Sequence, residues 1–193
     1  VYLENVVFDA VDPRALGRFW EAALGTEQLT DEPAGYETRL AVPGGPTLDL
    51  CFQRVEEKPE GPERLHLEYD DRAGELRALR LESADPGRDR EFWAWLTGWV
   101  PAEGGLTALR HASGRGPLLE LHPEKEPKGP GKNRIHLDVR LEAGEDADAV
   151  ERAIDERGGR REHHPEWGEL PWRTYTDPSG NEFCVLRAYP TSS

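Results

Sequence analysis

Apolar and polar positions alternate along residues 3–10, with Val6 and Phe8 on one side and Asn5, Val7 and Asp9 on the other. That is the period of a strand with two unlike faces. The period then changes. Leu16, Phe19, Trp20, Ala23 and Leu24 recur at helical spacing after Asp12-Pro13, an N-cap followed by Pro in the first turn, and Gly25 supplies a stop. The pattern predicts an amphipathic helix lying on a sheet. Residues 36–42 and 47–55 read as strands joined by the turn at 43–46, and residues 26–30 as a further strand. Arg64-Leu65-His66-Leu67-Glu68 reads as a short strand entered through a Pro- and Gly-bearing loop.

From residue 78 the pattern restarts. Residues 78–82 read as a strand, Asp85-Pro86 opens a helix carrying Phe92, Trp93 and Leu96, and Gly98 ends it. Asp12, Phe19, Trp20 and Gly25 match Asp85, Phe92, Trp93 and Gly98 at one common offset, and Arg64-Leu65-His66 matches Arg134-Ile135-His136. So regular a correspondence points to a duplicated supersecondary unit. Beyond His136, residues 147–157 read as a helix with Ala147, Val150, Ala153 and Ile154 inward. Residues 172–176 and 181–188 read as a hairpin around Asp177-Pro178-Ser179-Gly180-Asn181, whose residue types are those of a tight turn. Past that turn Phe183 and Val185 face one way, and Glu182, Cys184 and Leu186 the other.

This order of elements, closed by Asp-Pro-Ser-Gly-Asn-Glu-Phe-Cys-Val-Leu, resembles the vicinal-oxygen-chelate superfamily of glyoxalases, bleomycin-resistance proteins and extradiol dioxygenases, and most of all its glyoxalase-like branch. The resemblance implies an α+β fold of βαβββ modules, with curled mixed sheets around a cleft and helices on the outer face. It divides the chain into a truncated module over residues 1–72 and a complete two-module domain over residues 73–193. The truncated part would then act in assembly. Its orphan strand would need an edge partner, inside the chain or in a second subunit, and a homodimer is the expectation.

Within the complete domain, Leu79 and Leu81, Leu119 and Leu121, Ile135 and Leu137, and Phe183 and Val185 fall on the helix side. That leaves Arg80, Glu82, Glu120, His122, His136, Asp138, Glu182 and Cys184 toward the cleft. Metal-binding relatives place His, Glu, His and Glu on four strands. By resemblance Glu120 and His136 match two of these positions, while Ala78 and Cys184 stand at the other two. The truncated copy offers Asn5, Cys51 and His66 in the same way.

Two readings follow. One is binding of a small organic ligand through Arg80, Glu82, His122, Asp138, Trp172 and Cys184, with sequestration of a drug or metabolite as its sharper form. The other is a metal-dependent lyase, isomerase or dioxygenase in which Glu120, His136 and Cys184 hold Zn, Ni, Mn or Fe. Cys184 as a nucleophile would need His136 as its base and a depressed pKa. Residues 163–169, which include Trp167, form a polar loop long enough to cover a cleft.

Charge narrows the range of partners. With 38 acidic against 24 basic residues and a formal net charge of −14, a phosphate backbone is repelled, and cationic ligands are drawn in. The 2 Cys lie far apart with no CxxC pair, which fits a reducing, cytoplasmic setting. No apolar run approaches the ~20 residues that cross a bilayer, so no membrane partner is expected.

Overall fold

The computed structural model describes residues 1–57 and 60–190. The elements are β1 (Tyr2–Ala10), α1 (Pro13–Leu24), β2 (Glu27–Glu32), β3 (Gly35–Ala41), β4 (Thr47–Arg54) and β5 (Leu65–Asp70). There follow β6 (Glu75–Ser83), α2 (Pro86–Thr97), β7 (Val100–Pro101), β8 (Ala108–Arg110) and β9 (Leu118–Pro123). The last group is β10 (Ile135–Arg140), α3 (Ala147–Glu156), β11 (Arg160–Glu162), a 3₁₀ turn (Pro165–Trp167), β12 (Trp172–Thr176) and β13 (Glu182–Leu186). Three βαβββ modules are present among the described residues, starting at β1, β6 and β10, with β5 standing alone between the first and second.

The helix signals in the sequence are realised at atomic level. Asp12 accepts a hydrogen bond from the Ala15 amide and Asp85 one from the Arg88 amide, while Gly25 and Gly98 close their helices at positive φ. One residue departs from the reading: Phe19 is exposed, while Leu24 is buried, Leu16 and Trp20 pack against the core, and Pro13 and Gly17 join the buried face. Gly17 lies so close to the Tyr36 ring that an added Cβ would collide with it. A glycine contributes nothing to an apolar stripe, so this contact was invisible to periodicity.

The sheets partition the modules in a nested way. A long sheet of 8 strands runs β11-β12-β13-β10-β1-β4-β3-β2, and a short sheet of 5 strands runs β5-β6-β9-β8-β7. The first module therefore pairs with the third, through antiparallel β1 and β10, and the second pairs with the lone strand β5. This corrects the expectation that the second and third modules share one cleft within residues 73–193. The repeat equates β5 with β10 as opening strands, but a repeat does not say which opening strands lie side by side. The orphan strand finds its edge partner, β6, inside the chain.

Between the sheets lies one apolar core. Phe8 and Phe52 of the long sheet, Leu79, Leu119 and Leu121 of the short sheet, and Phe92, Trp93 and Leu96 of α2 all belong to it. Phe183 on β13 is fully buried and meets the rings of Phe92 and Trp93 at centroid distances of 5.9 and 5.4 Å. Polar clasps join the same layers. Arg64, 2% exposed, donates to Asn181 Oδ1 at 2.7 Å and to Glu124 at 2.8 Å. Buried Asp89 accepts from Ser83 and Ser179, and Asp177 accepts from the Trp93 indole at 3.2 Å. The turn that reads as a hairpin signal is thus also a buried junction between the sheets. Both cysteines are free thiols, and no helix among the described residues is long and apolar enough to cross a membrane.

Candidate functional site

The concave face of the long sheet carries the polar side of the alternation on each strand. Register places Val7 beside His136 and Cys51, and Asn5 beside Asp138, which in turn neighbours Cys184. These residues line a cavity of about 1070 Å³, together with Glu37 of β3, Lys132 ahead of β10, and Thr174 and Trp172 of β12. The segment after β11 contributes Trp167, stacked on His164 with ring centroids 3.9 Å apart, and both residues line the cavity mouth.

At the floor, one donor atom from each of His136, Asp138 and Cys184 lies within 4.8 Å of the others, and all three residues are buried. His136 Nε2 stands 3.4 Å from Asp138 Oδ1, and Asn5 Nδ2 donates to Asp138 Oδ2 at 3.3 Å. Two buried atoms have no hydrogen-bond partner among the described residues, His136 Nδ1 and Asp138 Oδ1. Such orphans are uncommon in folded proteins because desolvating an unpaired polar atom costs about 1–3 kcal/mol.

Burial sets the protonation states. Loss of water, reinforced by Lys132, lowers the His136 pKa to about 4, so the imidazole is neutral near pH 7. Burial raises Asp138 to about 7, against hydrogen bonds from Asn5 and Cys184 that favour its charged form. The Cys184 thiol is pushed up by burial and then by Asp138. Cys51 is pushed up by burial and then by Glu37, Asp138 and Asp49. Neither cysteine is an activated thiolate, which runs against the nucleophile expectation for Cys184.

The residues singled out from sequence divide between the two sheets. His136, Asp138, Cys184 and Trp172 converge on the cavity. Arg80, Glu82, Glu120 and His122 do not, because they belong to β6 and β9 of the short sheet. There Glu120 accepts from Arg80 at 3.0 Å and lies 2.9 Å from His122 Nε2. Burial, which would raise its pKa, is outweighed by these partners, and the carboxyl sits below its usual range. Glu120 is therefore no co-ligand of His136. Asp138 stands where the sequence reading put Glu120, beside His136 and Cys184. The chelate positions that resemblance assigns to the first module, Asn5 and Cys51, line the same cavity as His136 and Cys184. Lys132 and Glu37 were missed. Lys132 sits in a Gly-Pro-Gly-Lys run with no phosphate-loop spacing, and Glu37 is one of many acidic strand residues; neither carried a distinguishing signal.

The sequence profile of the family described as "Glyoxalase-like domain" matches residues 5–82 and again residues 78–186. The chain belongs to this family, within the vicinal-oxygen-chelate superfamily. Among solved structures it is similar to a glyoxalase I mutant from Zea mays, with 14% identity, a TM-score of 0.62, and coverage of 96% of this chain and 93% of the other. It is also similar to a putative dioxygenase from Bacillus subtilis, with 13% identity, a TM-score of 0.42, and coverage of 98% of this chain and 63% of that one. No functionally curated protein matches the chain in sequence.

Proposed function

We propose that this chain binds a small organic molecule in the cavity of its long sheet. The observation that carries this reading is the pair of unpartnered buried atoms, His136 Nδ1 and Asp138 Oδ1, at the floor of a cavity large enough for a drug-sized ligand. A ligand offering a donor and an acceptor there would satisfy both, and the aromatic surfaces of Trp167 and Trp172 would flank its apolar part. With no chemical step attached, this is sequestration of a metabolite or drug. A thermal-shift screen of a small-molecule library tests it, comparing the native chain with Thr174→Trp, whose indole would obstruct the cavity beside Cys184. Hits should raise the midpoint of the native chain only. Equal shifts in both proteins would remove the cavity from the account.

A second reading is favoured by the donor set itself. One imidazole, one carboxylate and one thiol within 4.8 Å suit a divalent ion such as zinc, and a cation would also occupy the unpartnered atoms. His136, Asp138 and Cys184 would hold the ion, which would supply Lewis-acid polarisation of a bound oxygen. His136 already presents the neutral form that ligation needs. Asp138 and Cys184 must release protons, so uptake should strengthen as pH rises through about 7, the Asp138 value. After supplementation with Zn, Ni, Mn or Fe and gel filtration, metal analysis should find about one equivalent in the native chain. It should find none in His136→Ala, while Glu120→Gln on the short sheet stays loaded. A metal-free native chain would sink this reading.

A further inference from the structure

The charges around the cavity fall into two groups, those already matched and those left over. Each lining cation is engaged. Lys132 Nζ reaches Asp9 at 2.7 and 3.0 Å, Arg140 reaches Glu4 at 2.6 Å and lies over the Tyr189 ring, and Arg54 donates to the carbonyls of Pro33 and Val11 at 2.7 and 3.0 Å. The carboxylates differ. Glu182 is matched by Lys128 at 3.0 Å. Among the described residues Glu37 has no cationic partner; it accepts from the Thr30 hydroxyl at 2.9 Å and from the Cys51 thiol. Glu162, among the described residues, has no Lys or Arg partner, only His164 at 3.6 Å. An independent feature points the same way. Asp138, its side chain 9% exposed, keeps an oxygen without a hydrogen-bond partner and borders the cavity. The negative field is felt by the cavity thiols, since Glu37 and Asp138 both act on Cys51.

Resting on the binding reading above, we propose that the cavity takes an organic ammonium ion with an apolar body, the charge set against Glu37 and Asp138 and the body against Trp172. A carboxylate ligand would have to take Lys132 or Arg140 from an existing ion pair, or Arg54 from its two carbonyls, and sit beside unmatched acids. A neutral ligand would leave the surplus charge as it is. The ammonium ion compensates it and has three N–H donors for acceptor-only carboxylates.

Three probes with the same phenyl body test this: 2-phenylethylamine, 2-phenylethanol and 3-phenylpropanoate, followed by calorimetry and by quenching of tryptophan fluorescence. The amine should bind at least about tenfold more tightly than the alcohol, and 3-phenylpropanoate should bind least. Glu37→Gln should remove most of the amine's advantage, and Glu120→Gln on the short sheet should leave it intact. If Glu37→Gln proves unfolded by circular dichroism, Glu162→Gln should weaken amine binding in the same direction. Alcohol or carboxylate binding as tightly as the amine, in a manner abolished by Thr174→Trp, would overturn the charge assignment while leaving the cavity as a binding site. Failure of all three probes to bind would overturn the ammonium proposal, and the library screen would then decide the cavity reading separately.

Discussion

The two sheets are built from the same repeated module, and the polar faces of their strands have met different fates. In the long sheet His136, Asp138 and Cys184 are 7%, 6% and 8% exposed. In the short sheet the side chains of Arg80 and His122 are 44% and 46% exposed. The difference is the partner. β10 has an entire module beside it, which extends the concave face across β1, β4 and β3. β6 has only β5, a strand without its helix and sister strands. Where no second half extends the face, the charges pair with one another, Arg80 with Glu68 and Glu120, and Glu120 with His122. A module's polar face becomes a pocket only when another module flanks it.

The sharpest way to break this comparison is to delete residues 1–72. That removes β1, whose Val6 and Phe8 are buried in the shared core, along with the antiparallel neighbour of β10. The remainder should lose cooperative thermal unfolding altogether. A soluble product with intact near-UV circular dichroism would show that the third module needs no such partner.

A smaller effect comes from the opposed titrations at the cavity floor. Asp138 is raised to about 7, above its unfolded value of about 3.9. Its contribution to stability is present at low pH and is lost as pH rises through 7. His136 is lowered to about 4, below an unfolded value near 6.5, and its contribution is lost as pH falls through 4. Between those limits the two slopes oppose each other. His136→Asn removes one of them. From pH 4 to pH 6.5 the variant should therefore lose stability relative to the native chain, by on the order of 3 kcal/mol in urea titrations. An unchanged difference across that range would mean that His136 is not held neutral by burial.

The smallest effect is expected on the open face. Arg80→Ala breaks exposed ion pairs only and should cost about 0–1 kcal/mol. A loss comparable to that of a core truncation would show that the short sheet depends on its surface charges.

Much of this architecture is legible in the residues. Asp12-Pro13 and Asp85-Pro86 announce their helices by chemistry confined to one turn. The Asp177–Asn181 turn and the alternation beyond it place Cys184 on the opposite face from Phe183. His136 and Cys184 are found by the same local logic. What local logic does not reach is the choice of neighbour for β10, because that choice rests on burial of Phe8, Phe52 and Leu50 against elements distant in sequence. The misplacement of Glu120 follows from that single ambiguity, since β9 has the correct parity in the wrong sheet. Asp138 was on the right face all along, but nothing in its spacing marked it as the residue that would stand beside His136.

The pairing of Val7 with His136 also sets an order of events during synthesis. β1 must wait for a strand made more than a hundred residues later, so its module leaves the ribosome with one side of β1 bare. Contacts of such long sequence separation slow folding and lengthen exposure to aggregation. The chain's need for a chaperone should therefore be greatest just before β10 emerges.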